Sequence, residues 1–170
     1  MRLYRDRIPL IAKDVLKKLV DEEDIECENQ AEAALDAEAV LNEYLRMSID
    51  ITEKAKERLT AAKLPYSNLG RIKKALADER GFHFGEDGVK YISNQIVEIF
   101  MQSNNIDEVF SEDYTMRQKI EPILAKHMSL DDEIDVEVRK RMKNLEEGTS
   151  TWDIEYKITL EKIKSKYGLE

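Results

Sequence analysis

Helix-breaking residues are scarce along this chain: six glycines and three prolines among 170 residues, against average usage of about 7% and 5%. A many-stranded β protein needs turn residues at short, regular intervals, and they are missing here. The apolar residues recur instead at helical spacing, which predicts an all-α fold of about eight helices. The first follows Asp6, carries Pro9 in its opening turn, and places Ile8, Ile11, Val15, Leu16 and Leu19 on one face. Asn29 is the expected cap of a second helix bearing Ala34, Ala37, Leu41, Tyr44 and Leu45. Asp50 with Glu53 resembles a capping box and predicts a third, bearing Ile51, Ala55 and Leu59. A fourth runs from about Ser67 and ends at Gly81, placed for a left-handed cap.

The same programme then repeats. A helix from about Asp87 carries Val89, Ile92, Ile96 and Phe100, and another from about Ser111 carries Tyr114, Ile120 and Leu124 around Pro122. A third follows Ser129 with Ile134, Val138 and Met142, and the last runs from about Ser150 to Tyr167 ahead of Gly168. Ile11, Val15, Leu19 and Ile25 map onto Ile92, Ile96, Phe100 and Ile106 at a constant offset of 81, and Ile51, Ala55 and Leu59 onto Ile134, Val138 and Met142 at 83. Internal duplication is therefore expected, with similar four-helix lobes over 1–81 and 89–170 and a linker at 82–88.

Three stretches carry a resemblance: Met1-Arg2-Leu3 with Arg7-Ile8 and Ile11-Ala12; the run from Arg71-Ile72-Lys73-Lys74 to Glu79-Arg80-Gly81; and Trp152-Asp153-Ile154-Glu155-Tyr156 with Lys166-Tyr167-Gly168-Leu169. Together they resemble the bacterial domain-of-unknown-function family 507 over essentially the whole chain. The resemblance implies an all-helical, bacterial, cytosolic protein, elongated or Y-shaped, and supplies no catalytic or binding residue to carry over. Gly70 departs from the family pattern, which often has a bulky apolar residue there.

Charge and residue chemistry narrow the function classes. Thirty-six acidic against 27 basic residues leave a net charge of −9, which repels phosphate backbones on average and disfavours general nucleic-acid binding. Lys13, Asp14, Lys17 and Lys18 interrupt any signal-peptide core, and no apolar run is of membrane length, so a cytoplasmic location without membrane association is expected. The Gly81-Phe-His-Phe-Gly85 segment lacks the Lys-Ser/Thr pair of a phosphate loop. His83 has Glu86 three residues on, in an expected loop, but neither it nor His127 gathers the three or more ligands a metal centre needs, and the acidic run from Asp131 to Glu137 has Val136 and Met142 where a calcium loop needs Gly and Glu. Cys27 sits between Glu26 and Glu28, whose charge suppresses a thiolate. No catalytic, metal or cofactor site is expected, and the chain reads as non-enzymatic.

What remains is binding. The aromatic candidates for a partner surface are Trp152 and Tyr156 on the last helix and Phe82, Phe84 and Tyr91 around the linker, since Trp and Tyr anchor protein interfaces. The cationic candidates for a phosphate-binding face are Arg71, Lys73, Lys74 and Arg80. An adaptor or regulatory protein with an unknown protein partner, and with capacity to self-associate, is the first reading. An RNA- or ribosome-associated factor using basic helix faces is the alternative.

Overall fold

A computed structural model describes residues 1–169, and among them it has seven α-helices and one two-stranded ribbon. In chain order these are α1 (Ile8–Asp21), β1 (Ile25–Glu26), α2 (Gln30–Ala61), α3 (Leu69–Glu79), α4 (Gly85–Gln102), β2 (Glu108–Val109), α5 (Asp113–Met128), α6 (Leu130–Arg141) and α7 (Ser150–Lys166). The all-α expectation holds, with seven helices where about eight were expected. The difference lies at Asp50, which does not cap a new helix. No Gly or Pro interrupts 10–64, and the stripe Ala33, Ala37, Leu41, Tyr44, Leu45, Ile51, Ala55, Leu59 stays buried along one unbroken helix. The Asp50 carboxylate instead accepts hydrogen bonds from Lys54 at 3.1 Å and Arg80 at 2.5 Å.

α1 packs on α2, α4 on α5, α2 on α4 and α1 on α5, which closes a four-helix bundle. Its six buried α1 positions, Ile8, Ile11, Ala12, Val15, Leu16 and Leu19, stand 81 residues before Val89, Ile92, Ser93, Ile96, Val97 and Phe100 on α4, all buried. Ala33, Ala37, Leu41 and Leu45 on α2 stand 83 residues before Met116, Ile120, Leu124 and Met128 on α5. The β1–β2 ribbon ties the two hairpin loops together, with Ile25 opposite Val109 and Glu26 opposite Glu108.

Polar ties flank the ribbon. The buried Asp24 accepts from Lys119 Nζ at 2.7 Å and Ser111 Oγ at 2.6 Å, and Lys119 also reaches Glu22 at 3.1 Å. On the other side Asp36 accepts from the Ser103 hydroxyl and from Asn105 Nδ2. Cys27 is buried, its Sγ donating to the Asn105 carbonyl at 3.2 Å. Its thiol is pushed up chiefly by burial, with Asp107 and Asp36 adding to it, so the flanking glutamates are not the cause.

At the end opposite the ribbon, two helix pairs continue past the bundle. One arm is the second half of α2 with α3, and the other is α6 with α7. Both close with a left-handed glycine at the expected position. Gly81 (φ 63°) lets Phe82 N–H reach the Ala77 carbonyl, and Gly168 (φ 67°) lets Leu169 N–H reach Lys164. Gly70 meets nothing within 4 Å of a would-be Cβ and lines a shallow hollow on α3, so no close approach requires a glycine there.

The 82–88 segment, expected to link two lobes, is largely structured: Phe82 is in the main core and Gly85 opens α4. Gly88 is required by close approach. A Cβ there would meet the Tyr44 hydroxyl, and would lie 2.7 Å from the His83 carbonyl that this hydroxyl donates to. One continuous buried cluster draws on residues from both expected lobes.

Candidate functional site

The aromatic residues singled out in the sequence fall into two packed clusters. Phe82 is buried and stacks on Tyr44 with ring centroids 4.8 Å apart; Phe84 meets Phe82 edge-on, also at 4.8 Å, and Tyr91 is tilted against Tyr44 at 6.3 Å. Tyr44 and Phe82 are buried where α2, α3 and α4 meet, while Phe84 and Tyr91 are half-buried against them. Burial pushes the Tyr44 phenol up to about 12. In the other arm Trp152 stacks on Tyr156 at 5.0 Å, Arg139 lies over the Trp152 ring, and Tyr156 donates to Asp135 at 2.8 Å. Both rings are half-buried against the small core of Ile134, Val138, Met142, Ile163 and Leu169.

The four basic candidates on α3 and at its C-terminal end, Arg71, Lys73, Lys74 and Arg80, diverge. Arg71 donates to Asn68 at 3.0 Å, Arg80 pairs with Asp50, and Lys74 shares a shallow hollow with Asp78 and Asp87. The basic residues of α6 and α7 are engaged locally: Arg139 with Asp135 and Glu147, and Arg141 and Lys166 with Glu137. Such pairs at i, i+4 spacing are ordinary helix-surface electrostatics.

Lys73 alone turns inward, over the Phe84 ring at 4.4 Å. It enters a cleft of about 560 Å³ where the arms part from the bundle. The residues before α1 thread this cleft: Arg2 N–H donates to the Met128 carbonyl at 2.7 Å, and the Met1 amine lies 3.6 Å from Asp131. Leu3, Tyr44, Leu45, Phe84 and Met128 supply its apolar surface, and Ser48 and Thr52 of α2 are also in its lining.

Four cationic side chains line the cleft, Arg2, Arg5, Lys56 and Lys73, against the carboxylates of Glu53 and Asp131. Arg2 lies over the Tyr4 ring at 5.0 Å. Burial holds the Lys73 ammonium below its ordinary value, and the nearby charges of Arg2 and Lys56 lower it further. Asp131 Oδ1 is buried without a hydrogen-bond partner. Sequence reading found Lys73 and missed Arg2, Arg5 and Lys56. These come from three separate segments, and no local spacing connects them. Among the described residues, no three His, Cys, Asp or Glu side chains gather as metal ligands would, and no helix is long and apolar enough to cross a membrane.

The chain belongs to the family described as "Protein of unknown function (DUF507)", whose sequence pattern matches residues 1–169. No curated protein matches it.

Proposed function

We propose that this member of the family is a non-enzymatic adaptor of the bacterial cytoplasm that holds a segment of a partner protein in the cleft between its arms. The observation that carries this reading is a contrast of charge: four cationic side chains gather around an apolar floor in a chain of net charge −9. A long polyanion would meet the acidic remainder of the surface and be repelled, whereas a short acidic segment reaching only the cleft meets the opposite sign. The cleft volume falls within the roughly 300–1,000 Å³ usual for small binding sites.

The rival, an RNA- or ribosome-associated factor, draws support from the convergence of Lys73 with Arg2 and Lys56. The engagement of Arg71 and Arg80 with Asn68 and Asp50 weighs against a continuous phosphate-tracking face on α3. We also read the chain as a duplicated unit. Supporting this are the constant spacings of 81 and 83 between buried positions and the glycine caps that end α3 and α7.

Affinity capture of the tagged protein from native lysate under mild crosslinking, with and without nuclease, tests the function. A stoichiometric protein recovered regardless of nuclease supports the adaptor. Recovery that collapses with nuclease replaces it with the RNA reading.

A further inference from the structure

The cleft's lining also specifies what kind of segment it takes. Resting on the adaptor reading, we propose that the cleft binds an acidic peptide, with a side-chain carboxylate held among Arg2, Lys56 and Lys73.

The support is the gathering of three like charges in one cleft. They come from the N-terminal segment, α2 and α3, and none of them forms an ion pair among the described residues. Two of them lie over rings, Arg2 over Tyr4 and Lys73 over Phe84. Like charges gathered beside low-dielectric walls repel one another, and a bound anion reverses the sign of that interaction. The depressed Lys73 ammonium is consistent with this arrangement, because its causes are burial and the charges of Arg2 and Lys56.

Glu53 and Asp131 are the opposing carboxylates in the lining; one Asp131 oxygen lies 3.6 Å from the Met1 amine and the other is buried.

The test is an NMR titration of the ¹⁵N-labelled full chain with the capped hexapeptide Ac-(Glu-Ala)₃-NH₂, its glutamine counterpart Ac-(Gln-Ala)₃-NH₂, and hexauridylate. The expected result is saturable shifts at the amides of residues 2–5, 52–56, 73 and 131 with the glutamate peptide and none with the glutamine one. The double variant Lys56→Gln/Lys73→Gln, with an unchanged far-ultraviolet circular dichroism spectrum, is expected to weaken binding about tenfold or more. Three results would each overturn the inference: no saturable shift up to about 5 mM peptide, a range that captures weak sites; equal binding by the double variant; or tighter binding of hexauridylate at the same amides. Lysate capture separates this proposal from the reading it rests on. A protein partner captured equally well by the double variant leaves the adaptor standing and removes the acidic clamp. Saturable peptide binding in the cleft without any captured partner keeps the clamp and removes the adaptor.

Discussion

The two arms begin from the same apolar stripe and are attached to the bundle differently. Ile51, Ala55 and Leu59 on α2 stand 83 residues before Ile134, Val138 and Met142 on α6, and all six are buried. Yet α2 runs unbroken from bundle to arm, and Ile51 and Ala55 join Leu76 and Ala77 in the main core. On the other side the helix is interrupted at Ser129, which ends α5 and precedes α6, and the arm beyond it has its own core of five residues. Ser129 Oγ donates to the Lys126 carbonyl, and Pro122 within α5 removes one backbone donor. The α6–α7 arm is therefore held to the bundle largely through the N-terminal segment. Its ties are Tyr4 against the arm's core, Arg7 to the Tyr167 carbonyl at 3.3 Å, and the Met1 amine near Asp131 and Asp132. Identical periodicity thus yields a continuous rod in one half and a jointed pair in the other, decided by a single turn of backbone.

The largest expected effect tests whether the two cores unfold separately. Ile92→Ala and Ile163→Ala each remove the same atoms from a fully buried site, at a cost of about 2–5 kcal/mol. In the bundle this lowers the melting temperature of the whole molecule. In the arm it strips hydrogen-exchange protection from α6 and α7 while leaving α1, α2 and α4 protected. Equal loss of protection everywhere in both variants would merge arm and bundle into one cooperative unit.

Gly88→Ala should cost about 1–3 kcal/mol by overpacking the α2–α4 approach. Combining it with Tyr44→Phe should cost less than the sum of the two single changes, because the hydroxyl that the new methyl meets is then gone. Strict additivity in chemical denaturation would place the strain elsewhere.

Alkaline pH separates the regions through the same tyrosine. The folded Tyr44 phenol titrates at about 12 against an ordinary value of 10.0. Its contribution to stability is therefore complete below pH 10 and is lost as pH rises toward 12. Tyr44→Phe should flatten the fall in stability of the bundle across that window, measured by denaturant midpoints at successive pH values.

The smallest effects come from the two side-chain caps. Asn29 accepts from Glu32 N–H at the start of α2, and Thr149 accepts from Trp152 N–H at the start of α7. Replacing either with Ala should cost about 1 kcal/mol. The Asn29 change should appear in global unfolding and the Thr149 change only in exchange from the arm.

Helix faces and end signals were legible in the sequence because each depends on neighbours within a few residues. The Asn29 cap, the Gly81 and Gly168 ends and the buried stripes of α1 and α4 all lie where local chemistry put them. Asp50 misled because a capping pattern counts only where a helix must start, and the continuing stripe of α2 allows no start there. Phe82, Phe84 and Tyr91 suggested a surface because aromatic residues anchor interfaces. Phe82 and Tyr91 pack on Tyr44, 38 or more residues earlier and invisible to local spacing, and Phe84 packs on Phe82. The cleft was hidden for the same reason. Lys73 stood out within its own helix, whereas Arg2, Arg5 and Lys56, from the N-terminal segment and α2, looked like ordinary solvated charges.

The bond from Arg2 N–H to the Met128 carbonyl has a consequence for synthesis. Arg2 leaves the ribosome more than a hundred residues ahead of its acceptor, a delay of about 6–25 seconds at ordinary elongation rates. Through that interval α1 can fold against α2, while the segment that precedes α1 lacks the acceptor that fixes it. Its placement therefore comes late on the nascent chain, after α5 has emerged, and the lining of the cleft is completed by the earliest-made residues settling among the last.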